Sequence, residues 1–207
     1  MKRRETLLAV GAGLAGLELH GFAGASATAQ EKAAPPFAVD DAAGKRRTLD
    51  EFKGKTVVLE WTSPSCPFVR AQYASGKMQE LQGWAKAQGA VWLSVLSTNP
   101  VRGDYLDPRK AMAFNQGRKA QPTALLMDSS GQMGQAYGAR NTPHMFVINS
   151  VGQIAYAGAI DTQPTVDELV VPKSRNLVRA ALEDLLAGRS VATPRTTPYG
   201  CLVGYSA

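Results

Sequence analysis

Cysteine and histidine are both scarce in this sequence, with two of each among 207 residues. Two thiols cannot build a disulfide scaffold, nor a multi-thiolate zinc site, which draws on more sulfur ligands. Charge is thin as well. Asp, Glu, Lys and Arg make up 19% of the chain, and 23 basic against 17 acidic residues leave a net charge of only +6. The basic residues are scattered, with no stripe interleaved by aromatics, which argues against nucleic acid as a partner. Gly (20) and Pro (12) together make 32 residues, too few for a collagenous or low-complexity chain. No Gly-rich loop of the phosphate-cradling kind follows a strand, so no bound cofactor is expected. What remains is a length and a 44% hydrophobic content that suit one domain with a real core.

The first thirty residues read as an address. Met1-Lys2-Arg3-Arg4 opens the chain, an Ala/Gly/Leu stretch follows over residues 7–19, and Ala25-Ser26-Ala27-Thr28-Ala29 ends it. A basic start, an apolar middle and a small-x-small end form secretory signal architecture. Arg3-Arg4 ahead of Leu7-Leu8 resembles a twin-arginine signal, so residues 1–29 are assigned as a signal peptide and the mature chain as periplasmic. Glu18 and His20 interrupt the apolar run short of the roughly 20 residues a spanning helix needs. Membrane association is thus expected only through an uncleaved signal. Loss of His20 leaves His144 as the only histidine, which excludes a His-rich metal site in one chain; no metal is expected.

Downstream, strand-like and helix-like segments alternate. Residues 37–39 read as a short strand, 40–45 as a turn and 49–54 as one helical turn stopped by glycine. The β-branched run 56–61 suits a central strand; a helix is predicted from Pro67 to Gln88, then a second buried strand at 91–96. A helix at 109–116, a strand at 123–127 and a short helix at 133–137 precede a hairpin of two strands, 144–148 and 154–156. Leu177, Val178, Ala181, Leu182, Leu185 and Leu186 mark a last helix over 175–187. The pattern predicts an α/β fold with a mixed, parallel and antiparallel sheet flanked by helices. It forms a single domain over residues 36–190, followed by a Pro/Thr-rich tail at 191–207 that carries Cys201.

Cys66 holds the position of greatest chemical interest. It follows a buried strand and directly precedes Pro67, a residue favoured at the first helical position. The thiol therefore sits at a helix N-terminus, where free N–H groups and the helix dipole favour the thiolate. Arg70, one turn on, would add positive charge. Thr142-Pro143 before an apolar strand is the second signal, since an X-Pro bond can be cis at modest cost. Glu60, six residues before Cys66, could be aimed beneath the thiol as a proton shuttle, or be paired with a lysine or solvated at the strand's end. His144 could face the site or be satisfied locally. Trp61 and Phe68 flank Cys66, either as core or as a hydrophobic rim for a substrate.

Four segments together resemble the peroxiredoxin-like branch of the thioredoxin superfamily, the redoxin or alkyl hydroperoxide reductase/thiol-specific antioxidant group. They are residues 59–70 (LEWTSPSCPFVR), 142–148 (TPHMFVI), 156–161 (YAGAID) and 198–201 (PYGC). The resemblance spans about residues 36–205 and implies a thioredoxin-like fold, Cys66 at the active position and a cis peptide at Pro143. Departures are visible. The place of a Cys-x-x-Cys pair reads Ser63-Pro64-Ser65-Cys66, and Leu59 stands where a peroxiredoxin has proline, although Ser63 keeps the hydroxyl three residues before the cysteine. The place of the peroxidase arginine falls on Pro143, so Arg140 or Arg70 would have to substitute.

The second thiol decides the function. Cys201 could resolve an oxidised Cys66, within the chain or across a homodimer; it could form a permanent bridge; or both thiols could stay unpaired. The expectation is an exported thiol redox protein, an antioxidant enzyme of peroxiredoxin-like or thiol–disulfide oxidoreductase type. It would react through Cys66 with a peroxide or a protein disulfide and be recharged by a thiol reductant. The alternative is a catalytically inactive binding module on the same fold.

Overall fold

The computed structural model describes residues 32–205, so the expected signal segment lies outside the described residues. The short β1 (Lys32–Ala33), β2 (Ala38–Asp40) and β3 (Arg46–Thr48) lead through a 3-10 turn (Leu49–Phe52) into β4 (Val57–Trp61). There follow α1 (Pro67–Ala74), α2 (Lys77–Ala87), β5 (Val91–Leu96), α3 (Pro108–Gly117), β6 (Ala124–Met127) and α4 (Gln132–Tyr137). The chain ends with β7 (Asn141–Thr142), β8 (His144–Ile148), β9 (Gln153–Gly158), a 3-10 turn (Val171–Lys173), α5 (Leu177–Leu186) and β10 (Cys201–Leu202).

Six strands form the central sheet in the order β1-β9-β8-β4-β5-β6. β4, β5 and β6 run parallel, while β8, β9 and β1 add on antiparallel, giving the mixed sheet that the alternation of elements predicts. Period-2 alternation sorts the side chains between two layers. Val58, Trp92, Met145 and Val147 face α1, α2 and α5, packing on Val69, Tyr73, Leu81, Val178 and Leu182. Leu59, Trp61, Leu93, Val95 and Phe146 face the opposite layer, against Phe37, Phe52, Met133 and Tyr137.

One expectation needs correction. The predicted single helix over 67–88 is two helices, α1 and α2, divided at Ser75-Gly76. Gly76 takes φ +79°, a left-handed conformation that a helix interior does not allow. The break is held by the Ser75 hydroxyl, which donates to Gln72 O, and by Gln79 Nε2, which donates to Tyr73 O. The turn at 40–45 is the tip of the β2–β3 hairpin, in which the Asp41 carboxylate accepts from Ala43 N and Lys45 N. The tail is structured as well, because β10 pairs antiparallel with β7 and aligns Cys201 with Thr142.

Candidate active site

β4 and the loop after it deliver Cys66 to the N-cap of α1, with Pro67 in the first turn. The cysteine is 1% exposed, and its thiol donates to Thr142 O at 2.9 Å. Thr142 joins Pro143 through a cis peptide, and the hydrogen bond to its carbonyl sets the loop ahead of β8 against the thiol. From the other side, β10 sets Cys201 opposite Thr142, the residue whose carbonyl Cys66 contacts, so each thiol affects the titration of the other. Gly200 makes this approach feasible: its φ is +107°, and any Cβ there would collide with Thr142 O. Both cysteines are free thiols.

The two thiols titrate in opposite directions. Burial raises Cys66, yet hydrogen bonds from the Thr142 side chain, from Val69 N–H at the start of α1 and from the Cys201 backbone and thiol outweigh it, and Cys66 ends below its ordinary value of 9.0. Cys201 is pushed up to about 11, first by burial and then by its hydrogen bond to Cys66 and the charge there. Cys66 is thus the sulfur disposed to be thiolate, and Cys201 the one disposed to keep its proton. Thr142 acts in both senses: its carbonyl accepts the proton of the neutral thiol, while its side chain favours the anion.

Behind this pair, a buried network ties down the tail. Tyr199 Oη donates to Asp161 Oδ1 at 2.6 Å, while Gln72 Nε2 and the Ser174 hydroxyl donate to Asp161 Oδ2 at 2.7 and 2.9 Å. The Tyr199 ring packs on Phe68, at 5.6 Å between centroids. Sequence reasoning missed this clasp. The available signal was the presence of Tyr199, two residues before Cys201, together with an aspartate just past the last long strand.

The other expected site residues fall elsewhere. Glu60 is fully buried and neither lysine-paired nor solvated, which corrects both of its unreactive readings. It accepts from Tyr73 Oη at 2.9 Å, Gln82 Nε2 at 3.2 Å, Trp92 Nε1 at 2.9 Å and the Ser94 hydroxyl at 2.9 Å. None of these bonds reaches Cys66, so Glu60 is the hub of a polar core beside the site rather than a contact of the sulfur. Trp61 is also fully buried; its Nε1 donates to Ser97 Oγ, and its ring packs on Tyr137 and Phe146, so it forms no substrate rim. The Ser63 hydroxyl turns to Ser65 Oγ, which donates in turn to Asp104.

Arg70 is exposed, and its backbone N–H donates to Cys66 O as part of α1. The His144 Nδ1 accepts from Arg140 N at 3.2 Å, and its ring stacks 4.5 Å from Phe146. Paired with Trp61 and set against Phe146, His144 lies on the face of the sheet opposite Cys66 and is satisfied locally, which corrects the reading of it as facing the site. Burial first, and then the Arg140 charge, lower it to about 4, so it is neutral at neutral pH. Among the described residues, no group of three or more His, Cys, Asp or Glu side chains could hold a metal ion. No described helix is long and apolar enough to cross a membrane.

A strand–cysteine–helix unit facing the loop of a cis-proline, on a sheet with this strand order, defines a thioredoxin-like fold. Solved structures agree on the architecture. A hypothetical protein from Sinorhizobium meliloti 1021 superposes with a TM-score of 0.73 at 23% identity, covering 86% of this chain and 94% of its own. An uncharacterized conserved protein from Geobacillus kaustophilus gives 0.73 at 23%, covering 85% and 92%. The pneumococcal exposed lipoprotein thioredoxin Etrx1 from Streptococcus pneumoniae gives 0.50 at 20%, covering 67% and 99%. In sequence, no curated protein matches the chain. The AhpC/TSA family profile matches residues 31–157, and the chain belongs to that family. The match includes Cys66 and Pro143 and stops before Asp161, Tyr199 and Cys201.

Proposed function

We propose that the protein is an exported thiol–disulfide oxidoreductase that runs a two-cysteine cycle, with Cys66 attacking and Cys201 resolving. The observation that supports this most directly is the alignment of β10 on β7, which seats the tail thiol beside Cys66 while the two sulfurs shift in opposite senses. Export rests on the signal-like residues 1–29.

The cycle follows from these positions. The Cys66 thiolate attacks one sulfur of a partner disulfide; that S–S bond breaks, and the leaving partner thiolate takes up a proton. Cys201 then loses its proton and attacks Cys66 Sγ, breaking the mixed disulfide and releasing the second partner sulfur. Two electrons pass to the partner, and an external dithiol reductant resets the Cys66–Cys201 bond. Cys201 reaches Cys66 within one chain, so the cycle needs no second copy.

A peroxide could oxidise the same sulfur to a sulfenic acid, which Cys201 would condense with loss of water. Protein disulfide is the favoured substrate, because no arginine side chain of the described residues hydrogen-bonds to Cys66 to hold a peroxide. With insulin as disulfide substrate and excess dithiol, turnover is expected in the native protein and abolished in Cys66→Ser. Cys201→Ser, reduced, freed of dithiol and then mixed with insulin, should stall as a mixed disulfide. Retained turnover in Cys66→Ser refutes the assignment, and absence of turnover in the native protein leaves the inactive binding module as the better reading.

A further inference from the structure

A cavity of about 640 Å³ lies outside the thiol pair, between α1, the loop at 62–65 and the end of α3. Its walls are apolar, from Pro64, Val69, Tyr73 and Phe114, while its charged lining is all of one sign. Arg70, Arg118 and Lys119 line it, and no carboxylate does. None of the three cations makes a salt bridge.

Arg118 is held ready. Its guanidinium carbon stands 3.8 Å from the centroid of Tyr73 and 4.1 Å from that of Phe114, so two aromatic rings fix its plane. Its Nε and one terminal nitrogen donate to Asn115 Oδ1 at 3.0 and 2.6 Å, and the other terminal nitrogen donates to Thr62 Oγ1 at 2.9 Å. Three of the five guanidinium N–H donors are used, leaving two. Gln79 Nε2 bridges Tyr73 O and Arg118 O, which locks the two walls together. The Gln79 Oε1 is the one buried side-chain nitrogen or oxygen of the described residues with no partner.

Lys119 adds a second observation. It is the only described non-glycine residue in the left-handed region, with φ +53°, at the position just past α3 where helices commonly place glycine. The chain keeps a long cationic side chain there instead.

We propose that this cavity binds an organic carboxylate with an apolar body, the head group held by Arg118, Arg70 and Lys119 and the body packed on Tyr73 and Phe114. A bare inorganic anion would leave the apolar walls unused, and a neutral apolar molecule would leave the cations without a partner. The proposal is independent of the thiol chemistry, and its test does not use the cysteines.

Calorimetric titration of the reduced protein with octanoate, octan-1-ol and inorganic phosphate reads the site directly. Octanoate is expected to bind at least about tenfold more tightly than either comparison probe. Arg70→Gln and Lys119→Gly should each weaken octanoate by about threefold, as expected for exposed charges. Lys119→Gly also relieves the left-handed position, so thermal unfolding of that variant should be unchanged or raised, which separates lost binding from lost fold. Equal binding of octanol, equal binding of phosphate, no binding of octanoate at millimolar concentration, or native affinity in both variants would each overturn the proposal.

Discussion

Oxidation should stabilise this protein by a large and specific amount. A Cys66–Cys201 bond would close a loop of about 135 residues, and the loop-entropy relation puts the loss of unfolded-state freedom near 5 kcal/mol. Little of this should be offset by native strain, because Cys201 is already aligned with Thr142, whose carbonyl accepts from Cys66 Sγ. For a domain of this size, about 5 kcal/mol corresponds to roughly 10–20 °C in melting temperature. The experiment is differential scanning calorimetry of the reduced protein before and after one equivalent of a small disulfide oxidant, with mass spectrometry to count the two hydrogens lost. Cys66→Ser and Cys201→Ser should each melt at the same temperature before and after. A bridge that forms without a shift in melting, or a shift that survives in Cys201→Ser, refutes the reasoning.

Two further outcomes follow from single groups. His144 protonates near 6.5 in the unfolded chain but only near 4 in the folded one. Between these values the unfolded chain binds a proton the folded chain refuses, so stability is complete above pH 6.5 and falls by up to about 3 kcal/mol as the pH drops towards 4. Denaturant titrations across that range should show the fall, and His144→Gln should flatten it; equal slopes in the two proteins would count against the buried neutral imidazole. Gly200→Ala puts a Cβ against Thr142 O and strains a left-handed position, a cost of at least about 1 kcal/mol. The strand β10 should detach and Cys66 should lose its Cys201 hydrogen bonds. Alkylation of Cys66 would then show a higher pH midpoint than in the native protein, and an unchanged midpoint would contradict the role given to the tail.

Local chemistry made much of the fold legible. The β-branched runs marked β4 and β5, the Cys-Pro junction marked the start of α1, and the leucine spacing marked α5, because each depends on propensity and period within a short window. The division of α1 from α2 was written in Ser75-Gly76 but outweighed by the helical pattern on either side. The short strands β1, β7 and β10 carried no such pattern, since two-residue strands are defined by their partners and have no period of their own. Trp61 shows the limit for single residues. Its place beside Cys66 in sequence left core and substrate rim both open, and strand alternation decides for core by turning the ring to the opposite face of the sheet.

The sequence by itself determined that one thiol sits at a helix start, that a proline heads the facing strand and that only one other cysteine exists. These are properties of neighbouring residues, and backbone stereochemistry acts over such distances. Only the tertiary structure decided what surrounds them. It brought Cys201 to Cys66 across 135 residues of chain, set the four donors around Glu60 and collected three unpaired cations around one cavity. Partnerships of that kind depend on how the layers pack, and no spacing along the chain encodes them.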